Sequence, residues 1–187
     1  MTVRVMLISP AASTDLRAAR FGSDAPLSEA GLRRARSAAA RTPGADRVSA
    51  APSRRCAETA AALGLTAQSD PALADLDTGG WRGVTLDELA ATDPAALGAW
   101  LADPAAAPHG GESLLDLTVR VGTWLAALDG GRTIAVAEPA VIRAAVLHAL
   151  ALPPQAFWRL DVEPLTLTRL TGGAGRWNLA CGSPLAD

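Results

Sequence analysis

Hydrophobic and polar positions follow two alternating patterns along the chain. Short apolar runs at residues 3–8 (VRVMLI), 46–51 and 132–137 (RTIAVA) are typical of buried strands, and a further strand is predicted near 65–69. Between these runs, apolar residues recur at helical spacing. An alternation of strand and helix at this spacing predicts a mostly parallel sheet whose faces are covered by helices.

Capping residues mark the ends of the predicted helices. Thr85 and Glu88 form a capping box that opens one helix, and Gly64 is placed to end another. Further helices are predicted after Ser28, which is a suitable N-cap, from Glu112 to Leu128, and from about 139 to 151.

The C-terminal part of the chain has a different pattern. PLTLTRL and GRWNLA flank Gly172 and Gly173, which predicts an antiparallel hairpin at the edge of the sheet. The predicted fold is therefore α/β: a three-layer α/β/α sandwich, with a mostly parallel sheet, helices on both faces and an antiparallel C-terminal edge. We expect residues 1–187 to form a single domain, with its functional site beyond the carboxyl ends of the strands.

Composition and charge restrict the possible partners. The formal net charge of -2 gives no electrostatic reason to expect a nucleic acid or an anionic membrane as partner. Cys56 and Cys181 have no metal-like spacing, so we expect two free thiols, no metal and no cofactor. The chain lacks an apolar segment of membrane-spanning length, and a cytoplasmic location is predicted. All 17 basic residues are arginine, a bias more typical of genome composition than of function.

Six segments resemble, in order, the histidine phosphatase superfamily in its phosphoglycerate-mutase-like branch. They are LSEAGLRRA, APSRRCAETAAALG, LADLDTGGWRG, HGGESLLDLTVRVGTWL, PAVIRAAVLHALALP and PLTLTRL, the last followed by Trp177. The resemblance covers nearly the whole chain. It implies a pocket in which a histidine of an R-H-G motif becomes phosphorylated, while a second histidine and two arginines bind the phosphoryl group.

The resemblance also implies that the reactive positions have changed. Ser9, Pro10 and Ala11 stand where the family has its R-H-G motif, and Glu138 stands at the second histidine. Ala12 and Leu16 replace an acid and a phosphate-binding asparagine that the family often carries there. A carboxylate at position 138 would repel a phosphate.

Other family positions are retained. Arg55 matches the second arginine, and Asp75 stands where phosphatase members place the general acid, usually a glutamate. The resemblance assigns a further set to the pocket wall: Trp81, Gly110, Gly111, Glu112 and Ser113. Loss of the reactive groups together with retention of the wall is the pattern of a pseudoenzyme.

The two remaining histidines and two charged residues each allow more than one interpretation. His148, in a predicted helix, is expected to be a partly buried structural imidazole, whereas His109 is either an acid, base or anion ligand or an exposed loop residue without a role. Arg55 either binds an anion or pairs with Asp75 or Glu138. For Glu138 we favour a capping role, because Glu138-Pro139 begins a helix.

Two functional hypotheses follow. The first is a catalytically inactive phosphatase-like protein that binds a small-molecule ligand or a protein partner through Ser9, Arg55, Asp75, His109 and Glu138. The second is an enzyme of another reaction class that uses Glu138, Asp75 and His109 as acid and base groups and Arg55 to orient the substrate. Neither hypothesis predicts phosphatase or mutase activity, and the oligomeric state is left open. The charges favour a neutral, zwitterionic or amine-bearing ligand.

Overall fold

The computed structural model describes residues 2–15, 20–173 and 175–185, in which six strands form one sheet. In chain order they are β1 (Val3–Ile8), β2 (Arg47–Ala50), β3 (Gln68–Ser69), β4 (Gly131–Val136), β5 (Thr166–Gly173) and β6 (Arg176–Pro184). Their order across the sheet is β3-β2-β4-β1-β5-β6. The first four in that order run parallel, whereas β5 is antiparallel to β1 and β6 to β5. The predicted parallel sheet with an antiparallel C-terminal edge is confirmed.

Six α-helices accompany the strands in the described part of the chain. They are α1 (Glu29–Ala38), α2 (Arg54–Ala62), α3 (Leu86–Thr92), α4 (Pro94–Ala102), α5 (Leu114–Ala126) and α6 (Pro139–Leu150). From β1 the chain passes to β2 and β3 in one direction and then returns to β4. Crossovers between parallel strands are right-handed. The helices α1 and α2, which follow β1 and β2, therefore pack on one face of the sheet, and α5 and α6, which precede and follow β4, pack on the other face. The predicted three-layer α/β/α fold is confirmed.

The capping signals work as the sequence predicts. The Ser28 hydroxyl accepts a hydrogen bond from the Gly31 amide at 3.0 Å, and the capping box of Thr85 and Glu88 is complete. Gly64 follows α2 with φ of +74°, a conformation that glycine adopts without strain.

Some predicted boundaries are wrong by a few residues, for local reasons. The helix predicted from Glu112 begins at Leu114, because the Ser113 hydroxyl caps it by accepting from the Asp116 amide at 3.1 Å. The strand predicted over 65–69 is limited to β3, since Leu65 donates its amide hydrogen to Ala60 at the end of α2.

The core lies on the two central strands and the helices that cover them. Val5 and Leu7 of β1 and Ile134 and Val136 of β4 are fully buried. Cys56 is buried and Cys181 is exposed, and both are free thiols as predicted. No helix in the described ranges is long and apolar enough to cross a membrane. Leu16 lies outside the described residues.

Candidate functional site

The carboxyl ends of β1, β2 and β4 meet at one edge of the sheet, and a small cleft lies beside them. Its volume is about 180 Å³. It is lined by Ser13, Asp15, Arg20, Gly22, Ser23, Arg55 and Asp75. Two of the residues predicted from the sequence, Arg55 and Asp75, therefore face this cleft.

The base of the site is an ion pair between Arg55 and Glu138. Arg55 lies in the first turn of α2, and Glu138 directly precedes α6. The guanidinium Nε donates to one carboxylate oxygen at 2.8 Å, while Nη2 donates to the other, which makes the contact bidentate. The Ser53 hydroxyl donates to the same carboxylate at 2.7 Å. The Glu138 side chain is only 2% exposed and that of Arg55 is 19% exposed.

This ion pair fixes the charge of Arg55. Burial alone would lower the pKa of the guanidinium, but the hydrogen bonds and charge of Glu138 outweigh burial and raise the pKa above its usual value. The thiol of Cys56 lies 3.6 Å from the same carboxylate, and burial, with the Glu138 charge, raises its pKa. Arg55 is therefore charged and already paired, and Cys56 is an un-ionised thiol.

The predicted N-cap position of Glu138 is confirmed, but its side chain makes no capping hydrogen bond. Because the first turn of α2 lies against it, the carboxylate turns toward Ser53 and Arg55 instead. Of the alternatives for Arg55, the structure shows pairing with Glu138.

Asp75 supplies one of the two carboxyl groups that face the cleft. Arg120 of α5 holds the preceding segment, because its guanidinium donates to the carbonyl oxygens of Ala72 and Ala74 at 2.9 and 3.0 Å. Burial raises the pKa of Asp75 to about 7, and the charge of Glu138 adds to the rise. The hydrogen bond from the Leu76 amide and the nearby arginines act in the opposite direction. Asp75 can therefore hold or release a proton near neutral pH.

Ser9 lies behind the cleft and does not line it. It is fully buried, and its hydroxyl donates to the Glu163 carbonyl and lies 3.1 Å from Thr166 Oγ1. The Thr166 amide donates back to the Ser9 oxygen at 2.9 Å. Pro10 and Ala11 are also buried, and the Ala11 amide donates to the Thr59 hydroxyl at 3.0 Å. These contacts connect the end of β1 to β5 and α2.

His109 lies in an aromatic cluster, apart from the residues that line the cleft. Its ring centroid is 5.0 Å from that of Trp81 and 6.2 Å from that of Trp100, and the residue is 6% exposed. Nδ1 accepts from the Gly111 amide at 3.0 Å, so the neutral ring carries its proton on Nε2. Burial lowers the pKa of His109, although Asp77 partly offsets this. The exposed-loop alternative is wrong: the imidazole is a neutral packing group.

His148 also differs from its predicted environment. It lies near the end of α6 and is exposed rather than partly buried. Its ring covers Gly122 of α5, where a Cβ atom would lie 2.3 Å from Nδ1. The helix pair α5 and α6 therefore approaches closely at a glycine, and the histidine forms part of that contact.

Sequence reasoning missed the residues that form the outer wall of the cleft. Asp15 accepts a hydrogen bond from the Ser23 hydroxyl at 3.0 Å, and Arg20 donates to the Gly83 carbonyl. Antiparallel bridges join Ser13 to Leu27 and Arg20 to Thr85. The sequence did contain one indication of this wall: the loop after β1 begins at the carboxyl edge of the sheet, where functional sites of this architecture lie. The pairing that brings the loop back over Asp75 has no local sequence signature.

The cleft combines carboxyl, hydroxyl and guanidinium groups. None of its lining residues within the described ranges is a histidine or a cysteine, and no group of three or more His, Cys, Asp or Glu there is arranged to hold a metal ion. Asp75 and Asp15 can accept hydrogen bonds from an amine or a hydroxyl group. Arg55 also lines the cleft, but its Nε and Nη2 groups are already bonded to Glu138.

Comparison with known proteins gives a consistent result. A model of the histidine phosphatase superfamily (branch 1) matches residues 12–182. A bifunctional protein of Mycobacterium tuberculosis is 31% identical over 153 residues, which are 76% of this chain and 42% of that protein. The chain thus spans less than half the length of this curated relative.

Solved structures agree over almost the entire chain. The native structure of mycobacterial glucosyl-3-phosphoglycerate phosphatase is 26% identical, with a TM-score of 0.84 over 98% of this chain and 100% of that one. The complex of mycobacterial glucosyl-3-phosphoglycerate phosphatase with inorganic phosphate is 27% identical, with a TM-score of 0.80 over 98% of this chain and 99% of that one.

Proposed function

Because the chain belongs to branch 1 of the histidine phosphatase superfamily, we propose that it is a member that has lost phosphoryl transfer and uses its cleft to bind a small ligand. The observation that carries this proposal is the bidentate contact between Arg55 and Glu138. The cation at the base of the cleft already has an anion, supplied by the protein itself. Glu138 thereby takes the place that a phosphoryl group would need.

The residues after β1 support the loss of catalysis. Phosphoryl transfer to an enzyme requires a side chain that can act as a nucleophile. Pro10, at the position of the family's nucleophilic histidine, has none, and the Ser9 hydroxyl is buried against β5. The match to the family model begins at residue 12, immediately after this altered segment.

The charges around the cleft favour a ligand other than phosphate. Asp15 and Asp75 line it, and Glu138 lies behind Arg55. The two carboxyl groups of the lining, Asp15 and Asp75, balance its two guanidinium groups, Arg20 and Arg55, and Arg55 is already bonded to Glu138. The cleft therefore lacks the excess of positive charge that binding of a phosphate requires. A neutral, zwitterionic or amine-bearing molecule of small size is the ligand class that we propose, and a basic side chain of a protein partner has the same chemistry.

A second candidate function rests on Asp75. Its pKa of about 7 lies within the range expected of a group that exchanges protons at neutral pH. Together with Glu138 it forms a pair of carboxyl groups in different environments, which is an arrangement that can divide acid and base roles. In this alternative the cleft belongs to an enzyme of a reaction class other than phosphoryl transfer.

The proposal can be tested with assays of phosphate chemistry on the purified chain. We expect no hydrolysis of p-nitrophenyl phosphate or 3-phosphoglycerate above the level of an Arg55→Ala control and no acid-labile phosphohistidine. Turnover at the rate of active relatives that disappears in Arg55→Ala would overturn the loss of catalysis.

A thermal-shift comparison of amine-bearing and phosphate-bearing compounds tests the ligand class. We expect the amine-bearing compounds to raise the melting temperature, and we expect Asp75→Asn to remove this stabilisation.

A further inference from the structure

A second concave surface lies at the opposite end of the sheet from the cleft. We call it the arginine groove, defined by Arg4, Arg132, Arg169, Thr171 and Asn178. Its volume is about 510 Å³. Arg4 and Arg132 stand at the amino ends of β1 and β4, whereas Ser9 and Glu138 follow the carboxyl ends of the same strands.

The strand register places the polar side chains of the groove in one row. Arg132 is the partner of Arg4 across β4 and β1, Arg4 is the partner of Thr171 across β1 and β5, and Thr171 is the partner of Asn178 across β5 and β6. Register partners on neighbouring strands point to the same face of a sheet. Arg169, two residues from Thr171 on β5, points to that face as well.

The arginines of the groove carry little compensating negative charge. In the part of the chain that the structure describes, Arg4 and Arg169 form no ion pair or side-chain hydrogen bond. Arg132 contacts Asp46 at 3.2 Å, but both side chains are about half exposed, at 50% and 54%. An ion pair so open to solvent contributes little. The groove therefore presents close to two unshared positive charges, although the whole chain has a net charge of -2.

This arrangement works against the stability of the empty sheet. Neighbouring strands lie about 4.8 Å apart, so Arg4 and Arg132 place two like charges side by side. A bound anion converts this repulsion into attraction, because one guanidinium can donate two parallel hydrogen bonds to a phosphate or carboxylate. The Thr171 hydroxyl and the Asn178 amide add neutral donors in the same row.

The floor of the groove is apolar. Met6 and Ala180, which are the register partners of Arg169 on β1 and β6, line it together with Pro43. A volume of about 510 Å³ lies within the range of roughly 300–1,000 Å³ that is typical of sites for small organic molecules. We propose that the arginine groove binds a small organic anion with at least two negative charges that also carries an apolar or aromatic group.

Calorimetry with ADP, adenosine and inorganic pyrophosphate tests this proposal. We expect saturable 1:1 binding of ADP, weaker binding of pyrophosphate because it lacks an apolar group, and no binding of adenosine. Each of Arg4→Gln and Arg169→Gln should weaken ADP binding by roughly tenfold, since one charge-assisted contact is lost. Higher salt should weaken binding as well.

Matched variants separate the groove from other effects. Arg159→Gln removes an exposed arginine elsewhere and should leave ADP binding unchanged. Arg4→Gln should keep or raise the melting temperature, because it removes a like-charge neighbour of Arg132. Absence of saturable ADP binding, or equal losses in Arg159→Gln and Arg4→Gln, would overturn the proposal.

Discussion

At the scale of single residues, the site is determined by which charges neutralise each other. Glu138 is bonded to Arg55, and Asp75 remains as a partly buried carboxyl group without an ion-pair contact among the described residues, whose pKa is raised to about 7. The sequence was sufficient to place all three at the carboxyl edge, because each follows a predicted strand or belongs to a segment that resembles a known family. It was not sufficient to predict their pairing, which depends on how closely α2 approaches the start of α6.

Asp75→Asn should change how stability depends on pH. The pKa of Asp75 is raised from 3.8 to about 7 in the folded chain, so the folded state binds the proton more tightly than the unfolded state. Stability is then lost as pH rises from about 4 to 7 and is constant above that range. The variant should therefore be more stabilised at pH 8 than at pH 4, by roughly 1 to 3 kcal/mol. Calorimetric melting at the two pH values measures this.

Asp77→Asn provides a control of opposite sign. The Gly79 amide donates a hydrogen bond to the Asp77 carboxylate, which lowers the pKa of Asp77. The stability that this carboxylate contributes is therefore present above pH 3.8 and is lost as pH falls. We expect Asp77→Asn to be slightly destabilising at pH 8. The same response in both variants would contradict the assigned environment of Asp75.

At the scale of elements, two glycine-rich segments hold the wall behind Asp75. The segment 77–80 and the segment 109–112 meet backbone to backbone: the Gly80 amide donates to the His109 carbonyl, and the Glu112 amide donates to the Asp77 carbonyl, both at 2.8 Å. The helix caps of the chain were predictable because they depend on residues three positions apart. The contact of these two segments joins distant parts of the chain, and the environment of His109 could not be predicted without it.

Gly111→Ala should weaken this contact. A Cβ atom at Gly111 would lie 2.1 Å from the Asp77 carbonyl oxygen, which cannot move without breaking its hydrogen bond to Glu112. We expect a loss of about 2 kcal/mol in the free energy of unfolding, measured by urea denaturation. Gly98→Ala is the matched control, since nothing lies within 4 Å of a Cβ atom there, and in helix α4 it should stabilise by about 0.5 to 1 kcal/mol.

At the scale of the whole molecule, the fold was predictable because strand and helix patterns alternate along the entire chain. Parallel pairing and right-handed crossovers then leave few topologies. The arginine groove was not predictable in this way. It arises from the register of four strands that are separated by up to about 170 residues, and a chain rich in arginine gives no sequence signal for it.

Restoring the family's reactive residues should fail unless they are restored together. Pro10→His alone is expected to give no measurable phosphatase activity, because catalytic groups that act as a unit are not additive. Adding Ser9→Arg, Ala11→Gly and Glu138→His should give at most a trace. An arginine at position 9 would have to displace the contacts of a fully buried serine with Glu163 and Thr166. Turnover by the single variant would contradict the proposed loss of the whole catalytic unit.

The measurement that tests the role of Glu138 most directly is the melting temperature of Glu138→Gln with and without inorganic phosphate. Removing this carboxylate leaves Arg55 without its partner and should cost about 3 kcal/mol of stability. Phosphate should then raise the melting temperature of Glu138→Gln by roughly 2 to 4 °C for each kcal/mol of binding free energy. A second change, Arg55→Gln, should abolish this increase.

Glu112→Gln is the control, because it breaks a comparable ion pair, with Arg120, outside the cleft. Phosphate should raise the melting temperature of the wild type and of Glu112→Gln by the same small amount. General salt effects and any binding in the arginine groove are common to all of these proteins. A larger phosphate effect in Glu138→Gln than in the wild type is the predicted result. A phosphate effect of equal size in the wild type that Arg55→Gln abolishes would show that Arg55 is available to anions and would contradict the proposed function.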